Sequence, residues 1–258
     1  MGLLKELFAY REMIANLVRK DLRGRYKGSV FGFLWTFLNP LLQVLVYSLV
    51  FSNILKFGIN NFYLFLFVAQ VPWIFFSTCI SAGAGVIQSE KSLVVKIHFP
   101  REVIPIYFVI SSFFNMLFCF VIVIPLSLIT GVPFNPVAYL CLPVIMAVEF
   151  LLALGGCLIV SAINVYFRDL QHIMAIFVMA WYFLTPIIYP MENVPNNMRA
   201  ILILNPMTPI VTAFRDVLYY GRVPHLLTLL HAFGLGIAFL FIGLLVFGWL
   251  KRRFAEVL

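Results

Sequence analysis

The sequence predicts an all-α integral membrane protein with six transmembrane helices, an N-terminal amphipathic helix and an extracellular re-entrant helical hairpin. Hydrophobic residues make up 63% of the chain and charged residues 11%, which leaves too little polar surface for a soluble globule. The hydrophobic residues form long uncharged runs, and a helix of about 20 such residues crosses a hydrocarbon core about 30 Å thick. Helices are expected because lipid cannot satisfy open backbone groups.

The spans follow from the apolar runs, taken in chain order. One run is too long for a single helix and is expected to break at Gly131–Pro136. Pro40 is expected to kink the first helix, so that neighbouring helices must satisfy its freed backbone. The runs are Gly28–Leu55, Phe57–Ser89, Val103–Val148, Phe150–Phe167, Leu170–Met191 and Val223–Leu250.

The basic residues predict the orientation. A net charge of +8 could suggest nucleic acid, but the cations gather at every second gap between spans. If the N-terminus is cytoplasmic, every Lys and Arg lies inside except Lys56, Arg199, Arg215 and Arg222. The positive-inside rule therefore predicts that both termini are cytoplasmic.

Residues 1–27 are predicted to form an amphipathic helix that precedes the membrane domain of residues 28–258. Apolar side chains between Leu3 and Leu22 fall on one side at 100° per residue, opposite most of the cations. Such a helix lies in the membrane interface. Arg11 and Asp21 fall on the apolar side, so either a protein partner covers them or the helix is a simple interfacial anchor.

The linker Arg23–Gly28 holds three cations and two glycines at membrane depth. Arg and Lys donate hydrogen bonds to phosphate, and Gly lets the backbone approach it. The alternative is that these residues are ordinary flanking charges. Gly28 and Gly32 also form a small-xxx-small pair, which would permit close helix contact.

The gap between the second and third spans, residues 90–101, is expected to form two or three helical turns that end at Pro100. Leu93, Val94 and Ile97 would form an apolar ridge between cations. A partner protein could dock on this ridge. Alternatively, the segment lies on the bilayer surface.

Residues 191–222 do not resemble an ordinary loop. Asn197–Leu204 and Pro209–Tyr220 are apolar helical stretches separated by Asn205–Pro209. Each is too short to span, and lengths of about 10–14 residues suit re-entrant or interfacial helices. We expect a helical hairpin that dips into the outer leaflet, with Gly221 at its end.

The sequence contains no recognisable catalytic or metal-binding constellation. The nucleotide motif G-x-x-x-x-G-K-[ST], the zinc motif H-E-x-x-H and the nucleophile motif G-x-S-x-G do not occur. Glu149 is the one carboxylate inside a predicted span, where ionisable groups usually face the bundle interior. One such group is weak support for ion-coupled transport, and a structural hydrogen bond explains it equally well.

Aromatic residues form stripes on two predicted helices. Rings stack on the apolar faces of sugars, so these stripes could line a glycan path, although such stripes also pack against neighbouring helices. The first helix carries Phe33, Phe37, Tyr47 and Phe51, and the fifth carries Trp181, Tyr182, Thr185 and Tyr189.

The order of several motifs resembles the permeases of type-2 ABC exporters for polysaccharides such as O-antigen, capsule or teichoic acid. The similarity covers nearly the whole chain. The motifs are Asp21-Leu-Arg-Gly-Arg-Tyr-Lys-Gly-Ser-Val-Phe-Gly-Phe-Leu-Trp35, Asn39-Pro-Leu-Leu42, Asn164-Val-Tyr-Phe-Arg-Asp-Leu170, Trp181-Tyr-Phe-Leu-Thr-Pro-Ile-Ile-Tyr-Pro190 and Leu204-Asn-Pro-Met-Thr-Pro-Ile-Val211.

This resemblance implies a homodimeric permease in the bacterial inner membrane with two separate ATP-binding subunits, which hold the ATP and Mg. It implies a gate at the N-terminal helix and a glycan cargo on a polyprenyl pyrophosphate. Arg23, Arg25, Tyr26 and Lys27 would meet that pyrophosphate. Segment 90–101 would be the coupling helix, with ATPase contacts at Lys91, Leu93, Val94, Ile97, His98, Arg168 and Asp169.

Three other functions stay open at the sequence level. One is a scaffold with no transport role, which the predicted re-entrant hairpin disfavours. A drug or lipid exporter of the same superfamily would share the architecture, although the aromatic stripes and the basic linker favour a glycan. An integral membrane enzyme would need a polar reaction centre at one depth, and only Glu149 is available. We therefore expect a transport subunit without a catalytic site of its own.

Overall fold

A computed structural model describes residues 3–25, 27–56 and 58–257, and Tyr26, one of the expected pyrophosphate contacts, lies outside them. Helices make up most of these residues, and none of them lies in a strand. Five helical segments are long and apolar enough to cross a membrane: Gly32–Ser52, Phe62–Ala84, Val103–Ile129, Pro136–Tyr166 and Leu226–Arg253. The all-α membrane class is therefore confirmed.

The elements follow the predicted order. Helices α5 and α6 are short, and a 3₁₀ turn and a π-helical turn flank α3. The helices are α1 (Leu3–Ala9), α2 (Arg11–Gly24), α3 (Trp35–Ser48), α4 (Phe62–Ala84), α5 (Val86–Ser89), α6 (Lys91–Lys96), α7 (Val103–Ile129), α8 (Pro136–Leu140), α9 (Leu142–Tyr166), α10 (Leu170–Phe183), α11 (Asn196–Leu204), α12 (Met207–Leu218), α13 (Leu226–Leu250) and α14 (Phe254–Val257).

Two predicted helices differ from the structure. The N-terminal helix is two helices, α1 and α2, separated by Tyr10. The fifth predicted span, Leu170–Met191, is a helix of only 14 residues that ends at Phe183. Pro186 explains this end, because proline cannot donate the next helical hydrogen bond and it restricts the residue before it. The expectation that Tyr189 shares a helical face with Trp181 is therefore wrong.

The predicted break at Gly131–Pro136 is confirmed, and its local chemistry is clear. Gly131 has φ +84, a left-handed conformation that glycine adopts without strain. The side chain of Asn135 accepts hydrogen bonds from the backbone nitrogens of Val137 and Ala138, which caps α8. Pro136 follows at the first helical position, where its missing N–H costs nothing.

The centre of the bundle is α4, in which 78% of an 18-residue stretch is buried, and α9 packs on it. Helix α13 packs on α9, and α3 and α10 pack on α4. In the spans that contain α3 and α13, only 17% of the corresponding 18-residue stretch is buried. Two outer helices of the chain therefore leave most of their surface to lipid or to other subunits.

Glycines set the contact between α9 and α13. A Cβ on Gly155 would lie 2.4 Å from the backbone carbon of Phe239, and one on Gly243 would lie 2.5 Å from the carbonyl oxygen of Gly155. The backbones approach as small residues in membrane helices allow. Among the described residues of this single chain, a Cβ on Gly28 or Gly32 would meet nothing within 4 Å, so the predicted pair makes no helix contact there.

The bundle has two distinct ends. At the end that carries both termini, which we call the terminal end, Tyr166 donates to the carbonyl of Leu250 and Arg101 donates to that of Lys251. At the other end, the hairpin end, Tyr219 donates to the carbonyl of Asn60. Alternate gaps therefore lie at opposite ends, as the charge pattern predicts.

Candidate functional site

The N-terminal helix α2 is packed against α7 at the terminal end. Leu17 and Val18 are buried there in one apolar cluster with Tyr107. Asp21 lies 2.7 Å from Arg25 and accepts a hydrogen bond from Ser111 of α7. Asp21, which lies on the apolar side of the helix, therefore has partners within the same chain. Arg11, on the same side, lies over the ring of Phe8.

The basic linker does not form one cluster. Arg23 and Lys27 are exposed, whereas Arg25 is half-buried. The Nη2 atom of Arg25 donates to the Ser112 hydroxyl at 3.1 Å, and its guanidinium lies 5.7 Å from the Phe108 ring centroid. Arg25 thus turns into the bundle, and the two other cations remain at the surface.

The predicted coupling segment, residues 90–101, is helical only over the six residues Lys91–Lys96, which is less than the two or three turns expected. Val94 is buried, in the same cluster as Leu17, Val18 and Phe254. The prediction that Val94 lies on an exposed ridge is therefore wrong, and Val95 takes its place. Val95 is 57% exposed and Ile97 is 51% exposed.

The other predicted docking residues surround this exposed pair. Leu93 is half-buried, and Lys91, Lys96 and His98 are exposed. Arg168 and Asp169 are exposed in the turn between α9 and α10. A Cβ on Gly85, just before α5, would lie 2.6 Å from Gln171 of α10, so this turn is also at the terminal end.

The two aromatic stripes meet at their centres. Tyr47 of α3 and Tyr182 of α10 have ring centroids 5.9 Å apart. Phe33 contacts Phe37 and, on α7, Phe118, while Phe51 contacts Phe62 on α4. Within a single chain, most of this aromatic surface therefore packs between helices.

Polar atoms of the second stripe are satisfied inside the protein. Tyr182 donates to Oε1 of Gln70 at 2.8 Å, and Gln70 donates to Oε1 of Gln43 at 2.8 Å. Trp181 donates to Oδ1 of Asn205 at 2.9 Å. Tyr189, beyond the end of α10, donates to the carbonyl of Phe183. A hydrogen-bonded chain thus connects α10, α4 and α3.

The surroundings of Pro40 confirm the prediction that a neighbouring helix supplies a donor to the backbone carbonyl that proline leaves unpaired. Proline removes the hydrogen bond to the carbonyl four residues earlier, which here belongs to Thr36. The Cys119 thiol of α7 donates to that carbonyl at 3.4 Å. The neighbouring helix therefore supplies the missing donor.

The hairpin end contains a buried cation that sequence reasoning placed among the outside charges. Arg215 of α12 is 4% exposed and lies 3.5 Å over the Phe65 ring. It donates to the carbonyls of Phe65, Pro186, Ile187 and Tyr189. Its position in an apolar helix was the only signal of this role. Arg215 ties the segment after α10 to α12 and α4.

The hairpin residues lie close to their predicted positions, and α11 and α12 meet at 98°. Asn205 between them accepts from the backbone nitrogen of Met207 and donates to the carbonyl of Leu184. The depth of this hairpin in the membrane remains a prediction.

Glu149 is fully buried in α9, and its carboxylate has no hydrogen-bond partner among the described residues. A structural hydrogen bond was one of the two explanations for Glu149, and none is present in that part of the chain.

Long apolar helices with charged segments at the two ends of the bundle define a multi-span integral membrane protein. The chain belongs to the family of ABC-2 type transporters, which it matches over residues 13–219. The resemblance to polysaccharide exporter permeases is confirmed by its relatives.

The chain is 36% identical to the O-antigen export system permease protein RfbA of Myxococcus xanthus. The alignment extends over 259 residues and covers 98% of each chain. It is 28% identical to a protein of the same name from Klebsiella pneumoniae, over 96% of this chain and 95% of that one. It is 24% identical to the polysialic acid transport protein KpsM of Escherichia coli, over 91% of this chain and 92% of that one.

Proposed function

We propose that this chain is the membrane-spanning subunit of a bacterial ABC exporter that moves a polysaccharide linked to polyprenyl pyrophosphate out of the cytoplasm. Similarity over almost the full length to permeases named for O-antigen export carries this proposal. The more distant relative named for polysialic acid transport supports a glycan over a drug or a lipid as cargo.

The energy comes from two separate ATP-binding subunits, which hold ATP and Mg. Their proposed contact is the exposed pair Val95 and Ile97, together with Lys91, Lys96 and the turn at Arg168. Exposed apolar side chains between cations suit a protein groove better than water. ATP binding would then shift the population between inward- and outward-open states, without chemistry in this chain.

The working unit is a dimer of two copies in the inner membrane, with both termini in the cytoplasm. Support comes from α3, which leaves most of its surface uncovered and exposes the amides of Asn39 and Gln43. Exposed amides are unfavourable against lipid tails, so an aqueous path between two copies is the better neighbour. The charge pattern supports the orientation.

The pyrophosphate of the cargo binds at the terminal end, near Arg23, Arg25 and Lys27. Arg23 and Lys27 are exposed and therefore free to approach a headgroup from the bilayer. Arg25 already has Asp21 beside it, so it presents less net positive charge than the other two.

A cellular test uses deletion of the gene and restoration with plasmid copies. Cells without the chain should accumulate lipid-linked glycan on the inner side of the membrane and lose it from the cell surface. The wild-type chain should restore export, and it should copurify with an ATP-binding subunit. Normal surface glycan in the deletion strain would contradict the proposed function.

A further inference from the structure

The structure contains a cavity of about 560 Å³ between α3, α4 and α7, next to the terminal end. Its volume is typical of ligand sites, which measure about 300–1,000 Å³. The lining is unusually polar for the interior of a membrane bundle. The lining residues with polar side chains are Arg25, Trp35, Thr36, Asn39, Gln43, Thr78, Ser112 and Asn115.

One ridge of α3 supplies much of this lining. Trp35, Asn39 and Gln43 follow each other at four-residue intervals, so they lie on one face of the helix. The eight steps from Trp35 to Gln43 extend about 12 Å along the helix axis. The cavity therefore extends from the guanidinium of Arg25 into the membrane domain.

The amides on this ridge have unused hydrogen-bonding capacity. Gln43 accepts from Gln70 through Oε1, and its own amide nitrogen has no protein partner in the described part of the chain. Asn39 makes no side-chain hydrogen bond with any described residue. An amide without a partner in an apolar medium costs about 1–3 kcal/mol on the evidence of protein mutations. These groups therefore favour a polar occupant.

The chemistry of the lining selects the class of occupant. Amides and hydroxyls offer both donors and acceptors, which suits a neutral polyhydroxylated ligand. Trp35 adds an aromatic ring beside them, with its Nε1 atom bound to Ser29 at 3.0 Å. The described residues of the lining include no carboxylate for a cation, and an acyl chain would leave the amides unpaired. The single cation, Arg25, lies at the terminal end, where an anionic group attached to the ligand would reach it.

We propose that this cavity binds the sugar next to the pyrophosphate of the lipid-linked cargo, with Asn39, Gln43 and Thr78 contacting its hydroxyl groups. The inference rests on the proposed function, because that function brings a sugar attached to an anion to the terminal end. Arg25 contacts the anion, while the amides of Asn39 and Gln43 form hydrogen bonds with the sugar. The cavity thus gives the permease a way to distinguish a glycosylated carrier from the bare one.

The test measures ATP hydrolysis by the complete permease–ATPase complex in nanodiscs. Two probes are titrated: undecaprenyl pyrophosphate, and the same carrier with one N-acetylglucosamine. The variants are Asn39→Leu and the nearly isosteric Thr78→Val. The control is Asn197→Leu, the same change as at residue 39 but on the exposed surface of α11. Elution volume and thermal midpoint check that each variant is folded.

For the wild-type complex and the control, we expect the sugar-bearing probe to half-saturate at a lower concentration than the bare carrier. Asn39→Leu should raise the half-saturating concentration of the sugar-bearing probe about tenfold, and Thr78→Val should raise it less. Neither should change that of the bare carrier. Equal effects on both probes, or none on either, would overturn the sugar site. If the folded wild-type complex responds to neither probe, the proposed function itself fails, and this inference with it.

Discussion

Lys20 of α2 and Glu90 at the start of α6 form an ion pair, with Nζ and Oε1 2.9 Å apart. Tyr107 of α7 donates to the same oxygen at 3.3 Å. At the other end of the segment, Tyr10 donates to the carbonyl of His98. The proposed gate helix is thus bound directly to the segment proposed to contact the ATPase, so movement of one changes the position of the other.

Replacement of Glu90 by Gln should weaken this connection without unfolding the protein. The Lys20 side chain is 67% exposed and that of Glu90 is 17% exposed. Because Gln keeps an oxygen that can accept from Tyr107, the main loss is the attraction to the exposed Lys20, and exposed ion pairs contribute about 0–1 kcal/mol. We expect a nearly unchanged thermal midpoint and fewer glycans transported per ATP hydrolysed. Glu12→Gln, on an exposed part of α2, is the control. Wild-type coupling in the Glu90 variant would show that the contact has no part in transmission.

Aspartate substitutions on the exposed side and on the buried side of the α6 segment should have different effects. Val95→Asp combined with Ile97→Asp should leave a folded permease in the membrane and abolish pull-down of the ATPase, because both side chains are exposed. Val94→Asp should instead reduce the amount of folded protein, because it places a charge in the cluster around Leu17 and Val18. Retention of the ATPase by the double variant would refute the docking surface.

The contact between α9 and α13 predicts a selective effect of alanine. Gly155→Ala and Gly243→Ala should each destabilise the protein by about 1–3 kcal/mol, since the added methyl group meets backbone atoms that cannot move aside. Gly234→Ala in α13 is the matched control, because a Cβ there meets nothing within 4 Å. Thermal unfolding in detergent measures the difference. Equal midpoints for all three variants would mean that the two helices are not so close.

Arg215 is expected to be structural. Arg215→Ala would leave the carbonyls of Pro186, Ile187 and Phe65 without their donor, at about 1–3 kcal/mol for each buried group left unsatisfied. Arg215→Lys should recover part of the loss, because Lys has donors but lacks the planar fork. Arg253→Ala, at an exposed position, is the control. A wild-type unfolding midpoint for Arg215→Ala would show that these contacts do not hold the hairpin end together.

The sequence was sufficient for features that depend on local chemistry. The long apolar runs located five spans, and Gly131 and Asn135 marked the loop before α8. Pro40 signalled that a neighbour must supply a donor, although not that Cys119 would. These features follow from residue type and spacing along one helix.

Features that depend on contacts between distant segments could not be predicted in the same way. Val94 is buried in a cluster that includes Leu17 of α2 and Phe254 of α14, and the sequence of α6 alone gives no sign of these contacts. Arg215 resembled an ordinary outside cation until the carbonyls after α10 were found around it. The early end of α10 at Phe183 was not predicted because residues 184–191 continue its apolar run. Pro186 nevertheless prevents a longer helix.

The most direct test of the account is movement of a radiolabelled polyprenyl-pyrophosphate-linked glycan across vesicle membranes that contain this chain and its ATP-binding partner. We predict movement only when both subunits and ATP are present, and none when the chain is reconstituted alone with ATP. Movement by the chain alone, or hydrolysis of ATP by the purified chain without a partner, would contradict the account.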